Sequence, residues 1–152
     1  QDYKKEIDKL ERLKNYINIK TVLIHTSLFL NYSLLPKTYP QFSFGLVLNP
    51  EDSVKTIKLN YEFEKIPLIQ IMSVHPGAQG NPFIAESLKK VEQLRRANYR
   101  NKIALDGAIN DKTIPLILKY KFLPDILCPG SFLTKADKLN KRVNYLENLA
   151  LP

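Results

Sequence analysis

Short apolar runs and amphipathic segments alternate along this chain. Residues 2–18 place Ile7, Leu10, Leu13 and Ile17 at helical spacing, which predicts a helix. Five apolar runs rich in β-branched residues then predict strands, namely TVLIH (21–25), FGLVL (44–48), PLIQIMSV (67–74), IALD (103–106) and DILC (125–128). Segments with helical spacing separate these runs, and helix-start signals precede them at Asn49–Asp52, at Pro82, at Asn110 or Asp111, and at Thr134 with Asp137.

This alternation predicts an α/β protein with a parallel sheet. The predicted strands are apolar without a two-residue period, which is typical of strands that are covered on both faces. A doubly wound sheet and a βα-barrel both satisfy the pattern. A chain of 152 residues fits one domain, so we expect a single domain over residues 1–152.

Composition excludes several classes of protein. The single cysteine, Cys128, excludes an internal disulfide and a cysteine-based zinc site, and it is most simply a small buried side chain. No apolar run approaches the roughly 20 residues of a membrane span, and no leader segment is visible. We therefore expect a cytoplasmic protein that binds no membrane.

The formal net charge of +8 raises the question of nucleic acid. Most of the basic residues alternate with acidic ones in the helical segments, which is typical of solvent-exposed helix faces. No aromatic side chains are interleaved with basic ones in the manner of a nucleic-acid site. The charge is better explained by attraction of small anions, and no nucleic-acid partner is expected.

Three successive predicted strands end in small residues: Gly77-Ala78-Gln79-Gly80, Gly107-Ala108 and Gly130-Ser131. At the carboxyl ends of parallel strands, such turns present backbone N–H groups to an anion, and a Cβ would hold the backbone away from it. Neither a dinucleotide-binding G-x-G-x-x-G nor a P-loop is present. Asp106 directly precedes one of these turns, where a carboxylate would face a bound ligand.

These motifs resemble those of the ribulose-phosphate 3-epimerase family. SVHPGAQGNPF (73–83) resembles the loop S/T-V-x-P-G-x-G-G-Q-x-F, ALDGAIN (104–110) resembles V-D-G-G-V/I-N, and CPGSFL (128–133) resembles A-G-S-A-I/L-F. GLVLNPEDSV (45–54) is similar to G-x-A-L-N-P-x-T-P, and VLIHTS (22–27) lies where the family has an I-x-F-H-x-E strand. The sequence departs from the family at Gln79 and Ala108, each in place of a glycine, and at Ser27 in place of a carboxylate.

The resemblance implies a (β/α)8 TIM barrel, here a partial barrel with strands four to eight. It implies inversion of C3 of a ketopentose phosphate by two acids through an enediolate held by a divalent metal (zinc, iron, manganese or cobalt). Asp106 would be one acid and a metal ligand, and Met72 and His25 would line the pocket. The phosphate would be bound by residues of the three turns, Gly77, Ala78, Gln79, Gly80, Gly107, Ala108, Gly130 and Ser131.

The family's second acid and most of its metal ligands have no counterpart in this sequence. The chain, which begins with Gln1, is therefore expected to be part of a longer enzyme or a half-barrel completed by a second copy or another chain. Alone it is expected to have little or no activity. Two alternatives stay open: another sugar-phosphate enzyme of this fold, such as an allulose-phosphate epimerase or a hexulose-phosphate synthase, and a non-catalytic sugar-phosphate-binding or interaction protein.

Overall fold

A computed structural model describes residues 3–28, 30–77 and 80–149 and contains one five-stranded parallel sheet. The strands are β1 (Thr21–His25), β2 (Ser43–Leu48), β3 (Leu68–Met72), β4 (Lys102–Asp106) and β5 (Ile126–Cys128). All four pairings are parallel, and each joins strands that follow one another in the sequence. All five strands predicted from the apolar runs are therefore confirmed.

The strand order distinguishes the two architectures that the sequence left open. A doubly wound sheet reverses its order at a switch point, whereas the wall of a βα-barrel adds strands in chain order. The observed order is β1-β2-β3-β4-β5 without reversal. The sheet is thus a partial barrel wall, and the predicted α/β fold class is confirmed.

Helices of different lengths connect and flank the strands. They are α1 (Tyr3–Leu13), α2 (Leu35–Thr38), α3 (Val54–Asn60), α4 (Lys89–Arg96), α5 (Ile114–Ile117), α6 (Gly130–Thr134) and α7 (Leu139–Glu147), with 3-10 turns at Thr26–Leu28, Tyr32–Leu34, Phe63–Lys65 and Ala85–Leu88. None of the helices within the described ranges is long and apolar enough to cross a membrane.

Two predicted helix starts are wrong. The helical segment after β3 begins at Ala85 in a 3-10 turn rather than at Pro82, since residues 81–84 form no helix and Ile84 has an extended backbone. Thr134 closes α6 instead of capping α7, and its hydroxyl donates to the carbonyl of Gly130 at 3.2 Å. The residue before α7 is Lys138, which makes no side-chain capping bond.

One face of the sheet packs on the helices and forms the core. Ile69, Ile71, Ile103 and Leu105 alternate along β3 and β4 and are fully buried. They pack with buried side chains of the helices, which include Val54, Ile57, Val91, Leu94, Ile114 and Ile117. This face explains the helical spacing of the apolar residues between the strands.

The opposite face corresponds to the barrel interior, and the described residues cover it incompletely. Paired residues of neighbouring parallel strands share a face, so the register arranges the interior side chains in layers. One layer contains His25, Val47, Gln70, Ala104 and Ile126, and the next contains Met72, Asp106 and Cys128. Gln70, Met72 and Asp106 are half-buried and Ile126 is 41% exposed. Complete coverage of both faces is thus not observed, because five described strands do not close a barrel.

Candidate functional site

A cleft of about 790 Å³ lies at the carboxyl ends of β3, β4 and β5. The loops after these strands form its walls, as expected for the functional face of a βα-barrel. Its lining residues are Met72, Val74, Gly80, Asn81, Pro82, Phe83, Asp106, Gly107, Ala108, Ile109, Asn110, Lys112, Thr113, Cys128, Gly130 and Ser131. Residues from all three small-residue turns of the sequence therefore meet in one cleft.

Asp106 occupies the centre of the interior layer at this end of the sheet. It is the last residue of β4 and pairs in register with Met72 of β3 and Cys128 of β5. The Gln70 side-chain amide donates to Asp106 Oδ2 at 3.2 Å. Burial raises the pKa of the Asp106 carboxyl, and the backbone N–H of Gly107 partly offsets this effect. A carboxyl with a raised pKa exchanges a proton closer to neutral pH than an exposed aspartate does.

Ser73 fastens the end of β3 to the turn after Asp106. Its backbone N–H donates to the Asp106 carbonyl at 2.7 Å, and its hydroxyl lies within hydrogen-bond distance of the carbonyls of Asp106 and Gly107. Gly107 has a φ of +116°, and a Cβ there would lie 2.7 Å from Val74 Cγ2. Only glycine fits this close approach, and the backbone of the turn is consequently held beside the carboxylate.

The segment from Ala108 to Thr113 is ordered by its own side chains. Asn110 Oδ1 accepts the N–H groups of Lys112 and Thr113 at 2.9 and 3.2 Å, and Asn110 Nδ2 donates to the Ala108 carbonyl at 2.9 Å. The Thr113 hydroxyl donates to the same carbonyl at 2.7 Å. Ala108 itself has a φ of +53°, which a non-glycine residue adopts at a cost. These hydrogen bonds maintain that conformation.

The third turn begins α6, where Gly130 and Ser131 line the cleft. The next residue, Phe132, packs edge-on against Tyr145 and under the guanidinium of Arg142, so α7 supports the turn from behind. Cys128 precedes this turn on the cleft side. Burial and the neighbouring Asp106 charge raise the pKa of its thiol, which therefore stays neutral and unreactive.

The loop after β3 is only partly within the described residues. Gly77 and Gly80 have φ angles of +130° and +96°, so both require glycine. Gly80 lines the cleft, Gly77 is not among the lining residues, and the predicted phosphate contacts Ala78 and Gln79 lie outside the described residues. The loop is fastened at its two ends by bonds from Asn81 Nδ2 to the His75 carbonyl and from the Ile84 N–H to the Ser73 carbonyl, both 2.7 Å.

His25 lies away from the cleft. It ends β1, three strands from β4, and belongs to the interior layer that contains Gln70 rather than to the layer of Asp106. It does not line the cleft. The structure thus brings together Met72, Gly80, Asp106, Gly107, Ala108, Gly130 and Ser131 but not His25 or Gly77.

The His, Cys, Asp and Glu side chains of the described residues do not form a metal centre on their own. Across residues 3–28, 30–77 and 80–149, no three His, Cys, Asp or Glu side chains come together in a way that could hold an ion. Asp106 is the single carboxylate among the described lining residues, and the adjacent sulfur atoms belong to a neutral thiol and a thioether. These residues do not fit a divalent metal without further ligands.

Several residues that line the cleft or contact its lining were not predicted from the sequence. Gln70, Ser73 and Thr113 contact Asp106 or its turn, and Lys112 adds a cation to the cleft wall. The signal for Gln70 was present, since it is the one amide side chain inside an otherwise apolar strand. The positions of Ser73, Lys112 and Thr113 depend on how the turns after the strands fold, which the sequence pattern does not show.

Comparison with known proteins identifies the family. The model of the ribulose-phosphate 3 epimerase family matches residues 41–127, which include β2 to β4 and the cleft-lining residues from Met72 to Thr113. The ribulose-phosphate 3-epimerase of Helicobacter pylori (strain ATCC 700392 / 26695) is 31% identical over 109 residues, or 69% of this chain and 48% of that protein.

Relatives from other organisms also match the chain. The enzyme of the same name from Bacillus subtilis (strain 168) is 35% identical over 80 residues (49% and 36% of the two chains), and that of Methanocaldococcus jannaschii is 31% identical over 110 residues (70% and 45%). The chain spans about half the length of the curated relatives it matches. With the barrel wall and the cleft at its carboxyl end, these matches show that the chain belongs to the ribulose-phosphate 3-epimerase family.

Proposed function

We propose that this chain supplies the phosphate-binding turns and one of the two acids of an enzyme that inverts C3 of a ketopentose phosphate. The observation that carries the proposal is that Asp106 and the turns at Gly107-Ala108 and Gly130-Ser131 line one cleft. A sugar phosphate needs both an anion site and a proton-transfer group at a fixed separation, and the cleft offers both.

Asp106 suits a proton transfer at carbon. Its carboxyl is half-buried with a raised pKa, lines the cleft, and is held by the Gln70 amide, which donates to Oδ2. In the proposed reaction Asp106 removes or returns the C3 proton on one face of the sugar. Inversion requires a second acid on the opposite face, since a proton returned to the same face restores the original configuration.

The phosphate is proposed to lie against the turns after β3, β4 and β5. Gly80, Gly107 and Gly130 leave backbone at the cleft surface without intervening side chains. The hydrogen bonds of Ser73 and Asn110 hold this backbone in place before a ligand arrives, which lowers the entropic cost of binding. Gly77, Ala78 and Gln79 belong to the same proposed loop.

A test separates proton abstraction from inversion. The protein is incubated with D-ribulose 5-phosphate in D2O, and 1H NMR follows both loss of the C3 proton signal and formation of D-xylulose 5-phosphate. In a parallel titration in H2O, we expect the ligand to shift the amide resonances of Gly107, Ala108 and Ser131, and in the D2O assay we expect the chain alone to give little or no inversion. Robust turnover by the 17.6 kDa chain alone would refute the need for a second acid. No binding at millimolar ligand would refute the sugar-phosphate site.

A second candidate function is sugar-phosphate binding without catalysis. The observation that favours it is the donor set, since Asp106 is the single acid among the described lining residues. The two functions differ in the Asp106→Asn variant. Loss of C3 deuterium incorporation with unchanged binding indicates an enzyme, whereas a wild-type protein that binds without any C3 exchange indicates a binder. Other sugar phosphates, including allulose 6-phosphate, are tested in the same assay.

The open interior face is proposed to be covered by a second copy or by another part of the molecule. Ile126 on β5 is 41% exposed, and the half-buried Gln70, Met72 and Asp106 share its face. Such a partner is also where a second acid, and the further ligands of a divalent metal with Asp106, would come from.

A further inference from the structure

Lys112 gives the cleft a positive charge to which the proposed function assigns no role. Among the described lining residues, Asp106 and Lys112 are the two that carry a formal charge at neutral pH. Cys128, the other titratable side chain of the lining, has a thiol pKa raised by burial and by Asp106. The cleft therefore contains one anion at its centre and one cation at its wall.

The backbone of Lys112 is fixed rather than loose. Its N–H donates to Asn110 Oδ1 at 2.9 Å, and the flanking Thr113 is tied to the Ala108 carbonyl by its hydroxyl at 2.7 Å. Asn110 is anchored in turn to the same carbonyl. The Cα atom of Lys112 is thus held in a fixed position next to the Gly107-Ala108 turn.

The ammonium of Lys112 is available to a ligand. The residue is exposed, and none of the hydrogen bonds or ion pairs within the described ranges involves its Nζ atom. Other exposed lysines differ in this respect, since Lys9 and Lys89 pair with Glu6 and Glu86 at 2.8 and 2.5 Å. Within the described ranges, the ammonium group of Lys112 therefore has no ion pair to give up before it binds a ligand.

A phosphate monoester needs such a charge here. Near neutral pH it is largely a dianion, and Asp106 in the same cleft repels it when ionised. Backbone N–H groups of the turns donate hydrogen bonds but add no net charge, whereas an ammonium group offsets the repulsion directly and is a common phosphate ligand. We infer that Lys112 pairs with the phosphate group of the bound sugar phosphate and so selects phosphorylated over unphosphorylated ketoses. This inference rests on the proposed function.

The experiment compares binding by the wild type and three lysine variants. Titrations followed by NMR or calorimetry use D-ribulose 5-phosphate, unphosphorylated D-ribulose and inorganic phosphate. Lys112→Gln removes the charge and Lys112→Arg keeps it. Lys119→Gln is the matched control, because it removes the same charge from an exposed residue of the same segment outside the cleft lining.

We expect Lys112→Gln to bind D-ribulose 5-phosphate about ten-fold more weakly, since charge-assisted hydrogen bonds contribute on that order. Binding of D-ribulose should not change. Lys112→Arg and Lys119→Gln should stay within about two-fold of the wild type, which is the scale of long-range effects screened by salt. The wild-type affinity should also fall more steeply with salt than that of Lys112→Gln.

Three outcomes overturn the inference. Equal affinity of the wild type and Lys112→Gln for the phosphorylated sugar leaves the proposed function standing and removes Lys112 from it. Equal weakening in Lys112→Gln and Lys119→Gln shows a general charge effect rather than a contact. A wild-type protein that binds none of the phosphorylated probes rejects the proposed function and the inference together.

Discussion

Asp106 lies where its charge is unfavourable to the folded chain. The residue is half-buried between Met72 and Cys128, and desolvation raises the pKa of its carboxyl. A raised folded-state pKa means that the ionised form is less stable in the fold than in the unfolded chain. The stabilising effect of protonation is therefore present at low pH and is lost as pH rises through the folded-state pKa.

Replacing Asp106 with Asn should consequently stabilise the protein at neutral pH. The amide keeps the size of the side chain and carries no charge to desolvate, so Asp106→Asn should have a higher urea midpoint than the wild type at pH 7. The difference should shrink as pH is lowered toward the ordinary aspartate pKa of about 4. Urea unfolding at several pH values measures this. Asp111→Asn, at an exposed position on the same segment, is the control, and a lower midpoint for Asp106→Asn at pH 7 would contradict the argument.

Gly107 provides a second test at the residue scale. Gly107→Ala places a Cβ 2.7 Å from Val74 Cγ2 at a φ of +116°, so we expect a loss of about 1 to 3 kcal/mol in unfolding free energy. Gly130→Ala is the matched control, because a Cβ there meets nothing within 4 Å and the φ is ordinary. Chemical denaturation of the two variants measures the difference. Equal stability of the two would show that the turn relaxes to accept a side chain.

The predictability of the site differs from residue to residue. Asp106 could be placed at the functional edge because a carboxylate that directly follows an apolar run must lie at the end of a strand. Lys112 could not be assigned to the cleft, because its position depends on a turn built from the Asn110 and Thr113 side chains. The pocket-lining role of His25 stays a prediction, since His25 ends β1 at the same edge of the sheet but three strands from Asp106.

At the scale of elements, Arg95 joins α4 to the start of β4 and β5. Its guanidinium donates to the carbonyls of Tyr99 and Asn101 at 2.9 Å each and to Asp125 Oδ2 at 2.6 Å. The same Asp125 oxygen accepts the backbone N–H of Ile103 at 2.7 Å. One partly buried cation thus fixes the loop between α4 and β4 and connects it to Asp125 at the start of β5.

Arg95→Met should therefore cost about 2 kcal/mol of unfolding free energy, since it leaves the carboxylate and two carbonyls without their donor. The adjacent Arg96→Met is the control. Arg96 pairs with Glu92, and their side chains are 69% and 38% exposed, against 17% for Arg95. Exposed pairs of this kind contribute less than about 1 kcal/mol. Thermal or urea unfolding of both variants measures the two losses of unfolding free energy. Similar losses in the two variants would contradict the special role of Arg95.

The elements themselves were predictable where burial dominates their sequence. β1 to β5 are short apolar runs, and their positions agree with the predicted ones to within two residues. The five-residue α6 was not predicted, because it is too short to show helical spacing and its form depends on Phe132 packing against α7. Thr134 shows the same limit, since a capping-box spacing occurred at the end of a helix rather than at its start.

At the scale of the molecule, the sheet has two free edges within the described residues. β1 and β5 each pair on one side, and the interior face between them carries the exposed Ile126. Unpaired edges and exposed apolar faces favour association. We therefore expect the isolated chain to have an apparent mass above 17.6 kDa in light scattering, rising with concentration.

Ile126→Lys should reduce that association, because it places a charge on the open face at the β5 edge. Leu59→Lys is the control, since Leu59 is 76% exposed and lies on α3 rather than on an edge strand. Size-exclusion chromatography with light scattering compares the variants. A chain that is monomeric at all concentrations, or that responds equally to both substitutions, would contradict an interface at the open edge.

The strictly sequential pairing of the strands also has a consequence for how the chain folds. Because each strand pairs only with its predecessor and its successor, the sheet can grow by adding one βα unit at a time, without closing a long loop first. The free energy of local opening should then decrease from the central strand toward the two edge strands. Amide hydrogen exchange is expected to be slowest in the central strand β3, whose two neighbours are themselves paired on both sides, and fastest in the edge strands β1 and β5. The acid-bearing strand β4 therefore has an outer neighbour, β5, that opens before it does.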